Sequence, residues 1–168
     1  RRGAECLAVD ISERQLEHGR RLAGECGVRV AYERADMDAL PETWTGFDLI
    51  HSTYGLPFAS DPEAVVRACA ERLNPGGMLL LSVGHPVYAG EWWDVEGEQG
   101  IFLSDYFHPV PDVREGTDEA SAQSRAFPLS ETFGWLTGAG LTVDTLLEPS
   151  AVAPGSAPPP EEKVPYYS

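Results

Sequence analysis

The chain is poor in positive charge. Twelve lysines and arginines face twenty-seven acids, for a formal charge of −15, and Lys163 is the only lysine. A surface built to neutralise phosphates needs the opposite balance, so nucleic acid is excluded as the expected partner. Cysteine is equally scarce: Cys6, Cys26 and Cys69 form no CxxC pair and are odd in number. That argues against a disulfide framework or a zinc knuckle, and reduced, buried thiols are expected. His18, His51, His85 and His108 are dispersed without metal-ligand spacing, so no metal site is expected. No apolar run approaches the roughly 20 residues of a membrane span, and no leader pattern is visible. A cytoplasmic protein acting on a small molecule, with no nucleic-acid or membrane partner and an oligomeric state left open, is the expectation.

What is present is alternation. With 168 residues and 42% apolar content, the chain has the material of a single globular domain. "AECLAVDI" reads as a buried parallel strand over about residues 5–10, with a helix over about 13–25 opened by Ser12 and Gln15 at capping-box spacing. Leu16, Ala23 and Cys26, with Leu22 beside them, form the inward stripe of that helix, while Glu17, Arg20 and Arg21 point to solvent. "VRVAYERAD" predicts a second strand, "MDALPETWTG" a loop, and "FDLIHS" a third strand. "SDPEAVVRACAERL" predicts a helix capped by Ser60 with Glu63 completing the box, ended by "NPGG" and followed by the strand "MLLLSV". Strand, helix, strand, loop, strand, helix, strand predicts an α/β fold with a mostly parallel sheet and helices on both faces.

Residues from about 85 to 127 break the rhythm, and their aromatics and acids suggest an inserted lid. "PLSETFGWLTGAG" restores a helix, with Phe133, Leu136 and Trp135 inward and Gly140 as terminator, and "LTVDTLLEP" predicts a further strand. Residues 1–148 thus form the domain, and 149–168 a Pro-rich connection with the start of a last strand in "VPYYS".

In an open parallel sheet, ligands bind beyond the carboxyl ends of the strands. Four predicted strands present polar groups there: Asp10, then Asp36 and Met37, then His51 and Ser52, then His85. A carboxylate at Asp10 suits the two hydroxyls of a ribose; it equally suits a helix start, where the macrodipole favours an acid. Asp36 could accept from an adenine amino group with the Met37 thioether against the ring, although "ADMDALP" also reads as ordinary loop chemistry.

"LAVDIS" before a capped helix, "ADMDALP" before "FDLIHSTYGLPF", then "LNPGGMLLLSVGHP" and "LSETFGWLTGAGLTVDTLLEP" together resemble the successive motifs of class I S-adenosylmethionine-dependent methyltransferases, especially bacterial small-molecule enzymes. The resemblance implies a Rossmann-like fold and S-adenosyl-L-methionine as cofactor. Asp10 and the adjoining Ile11 would hold the ribose, Asp36 and Met37 the adenine, and His51 and Ser52 would lie near the methionine portion. It also implies a first strand and a GxGxG loop before Arg1, between the strands of residues 5–10 and 47–51, so the chain is expected to be an internal fragment. Methyl transfer from a sulfonium calls for alignment and desolvation of the acceptor, with a base where a proton must leave. His85 is the candidate base and His51 the second; a histidine bonding backbone at a strand-to-loop corner is the plainer reading of His85. Tyr54, Tyr88, Trp92, Trp93, Tyr106 and Phe107 could line an acceptor pocket, or form the insertion's own small core. A nicotinamide-dependent oxidoreductase and a non-catalytic scaffold are the alternatives.

Overall fold

The computed structural model describes residues 3–89, 91–95, 98–102, 105–115 and 121–148; side chains are described outside 88–104 and 112–122. The expected last strand in "VPYYS", and with it all of 149–168, lies outside the described residues.

Strand β1 (Leu7–Asp10) leads into helix α1 (Glu13–Glu25), which returns to strand β2 (Ala31–Arg34). The Ser12 side chain accepts from the Gln15 N–H, satisfying one of the donors that a helix start leaves unpaired. β1 and β2 pair in parallel from Leu7 opposite Ala31 to Asp10 opposite Arg34. Leu16 and Ala23 are the buried residues of α1, as its periodicity requires; Leu22 and Cys26 are exposed, because only a narrow stripe of the helix meets the two short strands. Cys6 is exposed as well, standing just before β1 with no layer over it, so buried thiols hold only in part, at Cys69.

Strand β3 (Phe47–Thr53) and strand β4 (Leu73–Ser82) form a second parallel pair, joined through helix α2 (Pro62–Arg72). β4 begins earlier than the sequence predicts, directly after α2, so "NPGG" lies inside the strand as an irregularity of its ladder. Asn74 donates from Nδ2 to the Gly46 carbonyl (2.9 Å) and to Asp48 (2.8 Å), tying the starts of the two strands together. Gly77 is there because backbone passes too close for anything larger: a Cβ would stand 2.9 Å from the Asn74 carbonyl oxygen and 3.0 Å from that of Phe47. The cap of α2 also differs from expectation. Asp61 accepts from the Ala64 N–H, while the Ser60 N–H is taken by Asp38, and Pro62 at the first helical turn fixes where the helix begins.

Alternation along β4 sends Leu79, Leu81 and Val83 toward α2, whose Val65 and Val66 are buried, with Cys69 beside them. Leu56 and Ala59, in the turn after β3, and Phe127 complete the core, and Phe127 meets Trp135 edge to face at 5.0 Å. Trp135 and Leu136 come from helix α3 (Leu129–Gly138); Phe133, expected inward, is exposed, since α3 touches the core along one edge only. Gly140 does end α3, at φ 79°, with its N–H donating to the Thr137 carbonyl. Residues 141–148 form no strand: no neighbour among the described residues offers them a ladder.

The insertion is more regular than its sequence suggests. Strands β5 (Glu91–Val95) and β6 (Glu98–Phe102) make one antiparallel hairpin, β7 (Asp112–Glu115) and β8 (Ser121–Ser124) another. Among the described residues no ladder joins the β1–β2 pair to the β3–β4 pair. Helices cover the second pair on one face, and Leu49, Met78 and Leu80 are exposed on the other. No helix among the described residues is long and apolar enough to cross a membrane.

Replacing Gly77 by Ala is expected to destabilise the fold by about 1–3 kcal/mol through overpacking against fixed backbone. Urea denaturation of the two proteins measures it, and equal midpoints would contradict the close approach.

Candidate cofactor and acceptor site

The carboxyl ends of all four main strands carry the polar groups that the sequence singles out. Asp10 ends β1, half-buried, and its Oδ1 accepts from the Ser12 N–H at 2.8 Å, which fixes the carboxylate beside the start of α1. Its other oxygen has no hydrogen bond among the described residues, so one acceptor remains to face a ligand. Ile11 is exposed, and its carbonyl accepts from Arg34 Nε at 3.0 Å, joining the ends of β1 and β2.

Beyond β2, Asp36 caps a single 3-10 turn, Met37–Ala39, by accepting from the Asp38 N–H. Met37 is half-buried and reaches the turn after β3: its Cε stands 3.6 Å from where a Cβ on Gly55 would be, and Ser52 Oγ stands 2.8 Å from the same point. Met37 and Ser52, fifteen positions apart in sequence, therefore share one small space, which the missing side chain of Gly55 keeps open. His51 points elsewhere, exposed, with Nε2 2.8 Å from Thr53 Oγ1.

Tyr54 follows at φ 55°, the sole non-glycine residue with positive φ among those described. That conformation carries strain for a side chain with a Cβ. It is held by the Tyr54 N–H, which donates to the Ser82 carbonyl at 2.8 Å, and the ring lies toward Gly84. Tyr106 and Phe107 meet edge to face at 5.1 Å, but Tyr106 uses its hydroxyl to accept from the Leu129 N–H. Those two help seat α3. Phe107 also lines a small cleft of about 170 Å³ with Phe127, Trp135 and Arg125. The side chains of Tyr88, Trp92 and Trp93 lie outside the described residues.

His85 is a corner histidine with both ring nitrogens engaged. Nδ1 accepts from the Val87 N–H at 3.2 Å, and Nε2 lies 2.7 Å from Glu148 Oε1, so the neutral ring carries its proton on Nε2 and donates to the carboxylate. Glu148 was not visible as a partner in the sequence, sixty-three positions away.

Two further residues escaped sequence reasoning. Asp38 accepts from the N–H groups of Ser60 (2.8 Å) and Asp61 (3.3 Å), and these backbone donors, Ser60 first, hold its carboxyl below the ordinary carboxylate value of 3.8. Arg72 is buried and donates to the Leu40, Pro41 and Ala68 carbonyls. An acid three residues before proline in "ADMDALP" was the available hint for Asp38; nothing local marks Arg72.

Comparison with known proteins bears on this edge. Residues 1–77 match the family model described as a methyltransferase domain. A structure of an S-adenosylmethionine-dependent methyltransferase from Mesorhizobium loti superposes with a TM-score of 0.63 at 26% identity, over 81% of this chain and 62% of that one. Residues 1–77 are thus similar to a methyltransferase domain, and the fold is similar to that of S-adenosylmethionine-dependent methyltransferases. Similar curated relatives are the ubiquinone biosynthesis O-methyltransferases of Idiomarina loihiensis, 34% identical over 82 residues, and Xanthomonas axonopodis pv. citri, 36% over 83. Each match takes in about half of this chain, 48% and 49%, and spans about a third of the relative, 34% and 35%. A methyltransferase from Clostridium acetobutylicum shares the fold, with a TM-score of 0.60 at 15% identity over 81% of this chain and 63% of that one. The Rossmann-like α/β expectation is met.

The depressed Asp38 carboxyl has a consequence for stability. A folded value below 3.8 means that its contribution is present above that value and disappears as pH falls through the lowered one. Asp38→Asn is expected to be less stable than the parent at pH 6, with the gap closing as the pH falls below the ordinary value of 3.8 and through the lowered one; a gap that does not narrow on acidification in thermal melts would contradict the backbone bonds to Ser60 and Asp61.

Proposed function

We propose that this chain, as the methyltransferase-like domain formed by residues 1–148, binds S-adenosyl-L-methionine across the carboxyl edge of its strands and transfers the methyl group to a small-molecule acceptor. The observation that carries this reading is the meeting of Met37 with Ser52 over Gly55, with Asp36 next to Met37 in the chain. The residues fit the cofactor chemically. Asp10, with one oxygen held and one open, suits ribose hydroxyls; Asp36, held the same way by the Asp38 N–H, suits an adenine amino group; Met37 offers a polarisable face to the ring. Ser52 is read as the neighbour of the methionine portion, with Ile11 and His51 as further cofactor contacts.

When bound, the cofactor supplies an activated methyl on a sulfonium, so the protein's part is alignment, exclusion of water and, for a protonated acceptor, removal of one proton. Tyr54 is held rigidly at the end of β3 and can wall the acceptor side. His85 serves as base at Nδ1: the Val87 N–H gives up that nitrogen, the acceptor's proton takes its place, and the resulting imidazolium is stabilised by Glu148 at Nε2. His51 is the second choice, its ring already bonded to Thr53. An oxygen acceptor is the first to test, because the curated relatives named above are O-methyltransferases. The reaction is placed in the cytoplasm, with the acceptor its one small-molecule partner. The nicotinamide-dependent alternative is set aside on the family match.

Thermal melts with S-adenosylmethionine, S-adenosylhomocysteine and NAD test the reading. A rise with the first two is expected; a rise with NAD alone overturns it, and no response to any of them favours a scaffold. Asp10→Ala is expected to weaken S-adenosylhomocysteine about 10- to 100-fold with the fold retained, the worth of one or two bonds to a charged acceptor. His85→Gln is expected to lower kcat on a hydroxyl acceptor about 100-fold while cofactor affinity stays, the usual scale of a positioned base; unchanged kcat removes the base.

A further inference from the structure

Arg72 is a buried cation without an acid. Its exposure is 9%, and among the described residues no carboxylate lies within ion-pair distance and Nε has no hydrogen-bond partner. A charge in that position is costly unless its hydrogen bonds do something an apolar residue could not. Here Nη2 donates to the carbonyls of Leu40 (2.8 Å) and Pro41 (3.1 Å), while Nη1 donates to Ala68 (2.8 Å) on its own helix. Arg72 sits in the last turn of α2, where the macrodipole favours a cation. The guanidinium therefore staples the end of segment 36–41 to the end of α2.

The other end of α2 does the reverse with opposite charge. Asp38 accepts from the Ser60 N–H with both oxygens (2.8 and 3.1 Å) and from the Asp61 N–H, at the cap position of the helix. Between the two clamps the segment and the helix flank an open groove of about 510 Å³ that Met37, Leu40, Ala64 and Ala68 help line, while Met37 also packs against the core that includes Val65 and Val66. The polar bonds at the two ends add direction to that packing and set where the segment stands. Asp36 is coupled to the same device, because its carboxylate is oriented by the Asp38 N–H.

We propose that Asp38 and Arg72 are positioning residues: clamped to both ends of α2, they set how Asp36 and Met37 are presented to the adenine of the cofactor. This rests on the cofactor reading above and adds two residues that touch no ligand. The guanidinium fork serves two carbonyls of the loop and one of the helix at once, which the single ammonium of a lysine does less well.

The test separates presentation from bulk stability. S-Inosylhomocysteine replaces the adenine amino group by a carbonyl oxygen and makes N1 a donor, so the preference for S-adenosylhomocysteine over it reads how Asp36 and its neighbours meet that edge of the base. Calorimetric titration of the full chain is expected to give a preference of about tenfold or more, falling to about threefold or less in Arg72→Gln and in Asp38→Asn, with Arg72→Lys between. A looser fold would weaken both ligands and leave the ratio as it was; a retained ratio in the variants overturns the clamp. If Arg72→Gln does not fold, the exposed Asp38→Asn decides. Failure of the parent to bind S-adenosylhomocysteine sinks the cofactor reading and this proposal with it, whereas binding without preference overturns the adenine contact only.

Discussion

Asn74 ties the start of β3 to the start of β4, Gly77 lets the two backbones approach there, and from that point the register runs in step from Leu49 opposite Met78 to Thr53 opposite Ser82. Everything at the opposite end of these strands depends on it. A slip of one residue would turn Leu79 and Leu81 away from Val65 and Val66 and expose the side of β4 that the helices bury. It would also break the Tyr54 bond to Ser82, which holds the turn after β3. A polar side chain and one glycine at the start of these strands thus determine where Ser52 and Tyr54 stand at their far end.

The edge that results is assembled from short hydrogen bonds rather than from a deep core. Asp10, Asp36 and Asp38 each accept from backbone N–H groups two residues on or across the fold, and each acid fixes a turn that begins where a strand stops. Such bonds to charged acceptors are stronger than neutral ones and directional, so they give a loop a defined shape at modest buried area. At Asp38 the bonds from Ser60 and Asp61 also hold the carboxyl below its ordinary value, so there the loop shape and the acidity are linked. Arg72 supplies the matching cation from beneath.

His85 shows how a plain structural reading and a chemical one coexist. The bond from the Val87 N–H and the bond to Glu148 are what a corner histidine needs, and they tie the end of β4 to the chain after α3. The same two bonds fix the orientation of the ring at the strand-to-loop corner.

Local chemistry was enough for much of this. The start of α1 at Ser12, the buried stripe of α2 at Val65, Val66 and Cys69, the turn at Gly140 and the placing of four acids or histidines at strand ends follow from spacing, capping and period alone, because those rules act within a few residues. The ends of the elements were less certain: Asp61, not Ser60, caps α2, since Asp38 from another segment claims the Ser60 N–H. Residues 141–148 read as a strand by composition, yet a strand exists only through a neighbour. Which polar groups meet was decided in three dimensions. Met37 beside Ser52, Asp38 at the start of α2, Arg72 under Leu40 and Pro41, and Glu148 on His85 are contacts between residues 15 to 63 positions apart, and no local propensity encodes a partner at that range. The sequence alone determined the elements and the chemical types at their ends; the packing of α2 between two loops determined which of them act together.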